Sequence, residues 1–266
     1  MLKTAELLEL LKITLFTGYI AGERPNSLLI TAKVESGKTQ LVSKMRANRG
    51  VLYLTDATPV GITRHYADAL FSQQIRHIII PDLLVPLSRF RDTVASFVAF
   101  FNALIEEGVV EIRTQFINVV PQKMPTKCGL ITTIAPSYLM DARHKWSGIG
   151  FLSRLLPISY SYSTSSVIQI LESIVDHEYY GDKGIKLQLP TQDIQVGCAA
   201  EYGRRILPYT NRLATAANLY GFRLQKQLQV AMMGSALAEG RTSVRESDFE
   251  KVAQLTNFIN LDYTSI

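Results

Sequence analysis

Apolar residues along the chain follow two rhythms, and the change from one to the other divides it. In residues 2 to 16, Leu7, Leu8, Leu11 and Leu15 share one helical face, which predicts an amphipathic N-terminal helix. Short continuous apolar runs follow: "SLLIT" from Ser27, "GVLYLTD" from Gly50, "RHIIIPD" from Arg76, "GLITTIA" from Gly129 and "LPISYSYS" from Leu156. Runs of this kind belong to strands covered on both faces of a parallel sheet. Between them, residues 38 to 48, 61 to 74 and 88 to 107 have helical spacing, the last rich in Phe97, Phe100, Phe101 and Leu104 and closed by Gly108. The stretch "VVEIRTQFINVVPQ" alternates and leads to Pro125 and Gly129, which suits a β-hairpin. Beyond 165 the strand signals give way to helices at 166 to 176 and across 193 to 260, interrupted between Gly181 and Pro190, with Ser247 as a capping residue. The pattern therefore predicts an α/β unit over residues 1–164 and an all-helical part over 165–266.

One connection between a strand and a helix carries recognisable chemistry. In "LLITAKVESGKTQLVSKM", residues 28 to 45, the segment Ser36-Gly37-Lys38-Thr39 ends like a phosphate-binding loop. In such a loop consecutive backbone N–H groups surround the phosphates and the following helix presents its positive end. Lysine adds a charge near the β and γ phosphates, and Ser/Thr offers a hydroxyl to Mg²⁺. Residues Ala32, Glu35, Ser36, Gly37, Lys38, Thr39 and Gln40 are the nucleotide-binding candidates, for ATP with Mg²⁺. Ala32 stands where the pattern has its first glycine, and it fits if its backbone angles stay in an allowed region.

Composition narrows the alternatives. The charge of +5 permits an anionic partner without demanding one. Cys128 and Cys198 are far apart and the four histidines are scattered, so neither a disulfide framework nor a zinc site is expected. No Ser/His/Asp or Cys/His grouping points to a hydrolase of that kind. Glu6, Glu9 and Lys12 interrupt the opening apolar stretch, which argues against a secretory signal, and no apolar run is long enough to cross a membrane. These features lead to the expectation of a cytoplasmic protein with no membrane partner.

The order of features resembles that of AAA+ ATPases, and within them the branch that holds MCM helicases and MoxR-type ATPases. "HIIIPD" resembles a Walker B strand, with Asp82 beside Thr39 in the Mg²⁺ shell. "GLITTIAP" resembles a sensor 1 strand, whose polar tip, Thr132 or Thr133, would orient the attacking water. "GFLSRLLPISYS" is similar to the "LLSRFDL" segment of MCM proteins, which makes Arg154 a finger into a neighbouring subunit; a finger is worth ~10³-fold or more in rate. The helical stretch from Tyr220 resembles their lid, with Arg223 at the sensor 2 position. The resemblance covers roughly residues 5 to 258. It implies a P-loop core, with a parallel five-stranded sheet and helices on both faces, followed by a small helical lid. It also implies a homo-oligomeric ring or filament, a hexamer in the manner of ring-forming motors. A pore hairpin before sensor 1 corresponds to the segment with Arg113, Lys123 and Lys127, facing DNA. "DARHKWSG", with Arg143, His144, Lys145 and Trp146, is either a second DNA-facing loop or an interface segment. Asp56 and Thr58, at the tip of the second strand, are further site candidates.

The chain departs from that family in one place that bears on chemistry. The family's Walker B strand ends in two carboxylates, whereas this run ends Pro81-Asp82-Leu83. If Asp82 holds the metal, Leu83 stands where the catalytic base should be; if Asp82 is the base, Pro81 replaces the metal ligand. The leading expectation is a helicase-like motor or DNA-remodelling ATPase, encoded by a mobile element or virus or forming one subunit of a larger machine. A binding switch of the helicase-loader or transposition-regulator type, with slow hydrolysis and a partner protein, is the alternative that the missing carboxylate favours. A MoxR-like chaperone acting on proteins is the third.

Overall fold

The computed structural model describes residues 2–109, 111–113, 118–120, 126–140, 146, 150–176 and 184–261. The sheet strands are β1 (Leu28–Thr31), β2 (Val51–Tyr53), β3 (His77–Ile80), β6 (Gly129–Ile134) and β7 (Leu156–Ser159). A separate two-stranded antiparallel ribbon pairs β4 (Ile112–Arg113) with β5 (Asn118–Val119), the hairpin that the alternating stretch predicts. The helices are α1 (Leu2–Thr17), α2 (Lys38–Ser43), α3 (Pro59–Phe71), α4 (Leu84–Leu87), α5 (Arg91–Asn102), α6 (136–140), α7 (Thr164–Val175), α8 (Ala200–Ala216), α9 (Phe222–Ala238) and α10 (Glu246–Leu255).

The main sheet has five strands in the order β2-β3-β6-β1-β7, and every pairing within it is parallel. Side chains alternate across it, as strand geometry requires. Leu28, Ile30, Ile79, Ile131 and Ile158 face one core, shared with α1, α2 and the C-terminal helices. Leu29, Ile78, Ile80 and Leu130 face the other, filled by α3 and α5 with Phe97 and Phe101. Both faces are thus covered, which is why the strands read as unbroken apolar runs. Residues on either side of position 164 contribute to the first of these cores.

Several elements differ from their sequence expectation for local reasons. Helix α1 is buried around most of its second half rather than along one stripe, because it lies between the sheet and α9. The approach is close: a Cβ at Gly234 of α9 would come within 2.8 Å of the Ile13 carbonyl oxygen and of the Thr17 methyl. The helix expected to reach residue 48 stops at Ser43, since the chain beyond it serves another segment. The Lys44 carbonyl accepts from the Ile185 N–H at 2.8 Å. The Asn48 side chain donates to the Ile185 carbonyl at 2.8 Å and accepts from the Leu187 N–H at 2.7 Å. The helix expected over 88 to 107 begins only at Arg91 and ends in a π-turn, Ala103–Glu107, before Gly108. Ser247 does not cap α10; the cap is Arg245, whose N–H donates to Asp248 Oδ2 at 2.8 Å. Asp248 is drawn there because it is buried and also accepts from Arg241 and Ser235.

His77 opens the strand that carries Asp82 beyond its far end. It is fully enclosed, with Nε2 3.3 Å from the Asn26 carbonyl oxygen. Burial pushes its pKa down from the usual 6.5 to about 4, against the raising effect of the Asn26 contact and with the help of the nearby Arg76 charge. The unfolded chain therefore binds a proton that the folded chain refuses between these two values, so stability is complete above pH 6.5 and erodes as pH falls through about 4. We expect His77 to account for a loss of about 3 kcal/mol of unfolding free energy across that window. Urea denaturation at stepped pH checks this: His77→Gln should flatten that portion of the profile, and an unchanged profile refutes the assignment.

Candidate functional site

Strand β1 lies inside the sheet, between β6 and β7, and the segment 32–37 leaves its C-terminal end. The chain runs from β1 outward to β2 on one side and later places β7 on the other, so this loop sits where the strand order reverses. In open parallel sheets that crevice is where ligands bind. Ala32 keeps a negative φ and is completely buried, its methyl group packing in the core below the loop. The left-handed positions are instead Glu35, with φ 64°, and Gly37, with φ 77°. The substitution of the first glycine is therefore accommodated without strain, and the glycine that the backbone requires is the one retained.

The loop is held by two hydroxyls that the sequence reading did not single out. Tyr160 Oη and Tyr162 Oη each donate to the Ser36 carbonyl oxygen at 2.9 Å. Their rings meet edge-to-face at 5.7 Å. Because the peptide unit is planar and trans, fixing the Ser36 carbonyl in one direction turns the Gly37 N–H in the opposite one. The signal available in the sequence was the "YSY" spacing, which places both rings on one face of an extended segment.

Lys38 closes the loop, donating from Nζ to the Lys33 carbonyl oxygen at 2.9 Å. Burial lowers its pKa, and the Asp82 carboxylate opposes that shift, so the two charges sense each other across the strand tips. Asp82 follows β3 and accepts from the Leu84 N–H through Oδ1 at 3.0 Å. Thr39 and Gln40 are exposed at the start of α2. That helix spans only six residues, so its dipole contributes little and the loop amides with Lys38 carry the positive character. The donor set of one hydroxyl and one carboxylate, Thr39 and Asp82, fits Mg²⁺, a hard ion that keeps water and takes phosphate oxygens rather than a full protein cage.

The neighbouring tips are braced. Thr133 donates from Oγ1 to the Pro81 carbonyl oxygen at 2.6 Å, and the Leu83 N–H donates to the Thr133 carbonyl at 2.9 Å. Thr133 thus positions the peptide that precedes Asp82. Thr132 points into the opposite core, and its buried hydroxyl has no partner among the described residues. Thr58 caps α3, accepting from the Gly61 N–H at 3.1 Å, and Asp56 is ion-paired with Arg89. Leu83, at the position of the absent second carboxylate, is fully buried.

Arg154 and Arg223 come together, but at the other end of the sheet. Arg154 precedes β7, and five residues of extended chain, about 16 Å, separate it from Ser159, which pairs with Thr31 at the loop end. Both arginines converge on Glu106: Arg223 Nε lies 3.0 Å and Arg154 Nε 3.9 Å from its Oε2. Arg24 pairs with the same carboxylate, Arg223 also donates to Ser153 Oγ at 2.8 Å, and Arg154 donates to the Gly150 carbonyl at 2.6 Å. Lys127 sits half-buried close to this cluster; burial first, then the Arg24 charge, lower its pKa, while Glu106 and Glu23 act the other way. Arg113 is exposed on β4 and paired with Glu111 at 3.0 Å. Lys123, Arg143, His144 and Lys145 lie outside the described residues.

No helix among the described residues is long and apolar enough to cross a membrane, and no cluster of three or more His, Cys, Asp or Glu side chains forms a metal site there. Comparison with protein-family models finds no match, and comparison with curated proteins finds none either.

The tyrosine contacts make a prediction about additivity. Losing either hydroxyl leaves the Ser36 carbonyl with one donor, whereas losing both leaves a buried acceptor unsatisfied. Tyr160→Phe and Tyr162→Phe should each cost under about 1 kcal/mol and the double variant about 2–3 kcal/mol. A double-mutant cycle by chemical denaturation checks this, and strict additivity counts against a shared carbonyl.

Proposed function

We propose that the chain is a P-loop ATPase module of the AAA+ type that binds ATP with Mg²⁺ and acts on nucleic acid as part of an oligomer. The observation that carries this reading is the loop that leaves β1 at the crevice beyond the C-terminal ends of the parallel strands, with a glycine in the left-handed region immediately before Lys38 and Asp82 following β3 at the same edge of the sheet. In this reading the loop amides and the Lys38 ammonium bind the β and γ phosphates, and Lys38 exchanges its contact with the Lys33 carbonyl for a phosphate oxygen. Thr39 and Asp82 would hold Mg²⁺, which supplies charge neutralisation between those phosphates. With Asp82 on Mg²⁺, the buried Leu83 occupies the place of a catalytic base, and Thr133 keeps the peptide before Asp82 in place.

The arginines support assembly. Arg154 and Arg223 sit at the end of the sheet remote from their own loop, so any phosphate they serve belongs to another copy. Head-to-tail contact brings one copy's arginines to the next copy's loop, the arrangement that closes rings or extends filaments. Tyr220 and Phe222, beside Arg223, are 88% and 79% exposed and stack at 5.6 Å. Exposed aromatics next to arginine are the residue types that anchor protein interfaces.

A second reading, a nucleotide-dependent binding switch, is favoured by one observation: Leu83 is fully buried beside Asp82, so no second carboxylate polarises water there.

Nucleotide binding and turnover, with and without single-stranded and duplex DNA, separate the two. For the motor we expect turnover stimulated by DNA and reduced on the order of 10²-fold or more in Lys38→Ala, the loss typical when a preorganised charge at a reacting centre is removed. Tight binding with negligible turnover selects the switch. Absence of any ATP binding removes both.

A further inference from the structure

We propose that Lys44, Arg46, Arg49 and Lys186 form a contact surface for the phosphate backbone of nucleic acid, separate from the β4–β5 hairpin. The proposal rests on the functional reading above for the class of partner and on the following geometry for the place.

After α2 the chain makes consecutive turns through residues 44 to 50, with Met45 and Asn48 buried and Arg46 and Arg49 exposed. An extended segment from 184 to 190 docks onto these turns. The Ile185 N–H binds the Lys44 carbonyl, and the Asn48 side chain bonds both Ile185 and Leu187, as described above. Ile185, Leu187 and Leu189 pack against the core, so by the two-residue alternation of extended chain Lys186 faces outward between two anchored neighbours. The Arg49 carbonyl is fixed in turn by Tyr19 Oη at 3.2 Å. Two segments remote in sequence are thus tied together, which brings Lys186 next to the turn that carries Lys44, Arg46 and Arg49.

Among the described residues those cations have no acidic partner within ion-pair distance, whereas Lys12, Arg89, Arg205, Arg223, Lys226 and Lys251 all do. Arg113, on the hairpin, is already paired with Glu111, and Lys127 is half-buried beside Glu106 and Glu23. The hairpin cations within the described residues are therefore the more encumbered set.

The chemistry of the surface selects the partner. None of the large exposed apolar side chains belongs to residues 40–50 or 184–190. A membrane-docking face needs apolar residues to insert, and a protein interface draws its energy from aromatic and aliphatic anchors. Phosphodiester contacts need only cations held in register, with affinity from counterion release and no reading of base sequence.

The test uses the whole chain, a fluorescent single-stranded DNA of twenty nucleotides, its duplex, and vesicles containing anionic lipid. The variant Arg46→Gln/Arg49→Gln/Lys186→Gln removes three charges while keeping polar, unbranched side chains, and leaves the Lys44 carbonyl and Asn48 to hold the segment. At 0.1 M salt we expect its affinity for the single strand to fall on the order of 10²-fold, and the slope of log affinity against log salt to shrink by about 2. Its MgATP affinity should stay at the wild-type value, which also shows that the fold is intact. The comparison variant Arg113→Gln/Lys123→Gln/Lys127→Gln should lose less than the patch variant. Unchanged DNA affinity in the patch variant, or a larger loss in the hairpin variant, overturns the proposal while leaving the nucleic-acid reading standing. Wild-type protein that binds MgATP but neither DNA form overturns that reading together with the patch, as does binding to vesicles alone.

Discussion

Parallel pairing of β1 between β6 and β7 sets the position of almost everything discussed above. It buries β1 on both faces and brings the tips of β1, β6 and β3 side by side. The loop that carries Lys38 therefore emerges within reach of the charge on Asp82, two strands away. The same direction of travel puts the residue before β7, Arg154, at the far end. A reversed β7 would have delivered Arg154 to the loop of its own chain. The separation of loop and arginines is thus a consequence of strand direction.

At the loop itself, backbone conformation does more than side-chain identity. Gly37 adopts a left-handed φ, Glu35 tolerates one in the open, and Ala32 needs neither. The Ser36 carbonyl, taken by two tyrosine hydroxyls, turns the next N–H away from the body of the protein. The phosphate-binding capacity of such a segment resides in where its amides point. Tyrosines that touch no ligand can therefore set that capacity, and they arrive from the end of β7, the strand whose beginning adjoins Arg154.

Much of this could be read from residue patterns, for a physical reason. Strands buried on both faces must be continuously apolar, so "SLLIT", "HIIIP" and "GLITTI" announced themselves and their alternation with helices implied the parallel sheet. Gly108 ended its helix with φ 78° and ψ 143°, a combination open to glycine because it has no Cβ. What stayed hidden depends on contacts distant in sequence. Helix α1 reads as amphipathic because periodicity cannot reveal α9 lying across its second side. The helix after the loop is cut short at Ser43 by residues 185 to 187, which no local propensity encodes. The meeting of Arg24, Arg154 and Arg223 at Glu106 joins four separate regions of the chain. Tyr160 and Tyr162 were visible only as an alternation without an obvious purpose.

Charge placement links these levels. Glu106 receives Arg24, Arg154 and Arg223, and the Lys33 carbonyl receives Lys38. Both cationic groups are thus held by internal acceptors that a nucleotide would have to replace. A crystal structure with Mg²⁺ and a non-hydrolysable ATP analogue tests that exchange most directly. The β and γ phosphates should lie over residues 33–39, with Lys38 Nζ moved from the Lys33 carbonyl to a phosphate oxygen and the Ser36 carbonyl still bound by both tyrosines. An analogue seated elsewhere, or a loop that keeps the Lys38–Lys33 contact at saturating nucleotide, shows that this segment is not a phosphate site.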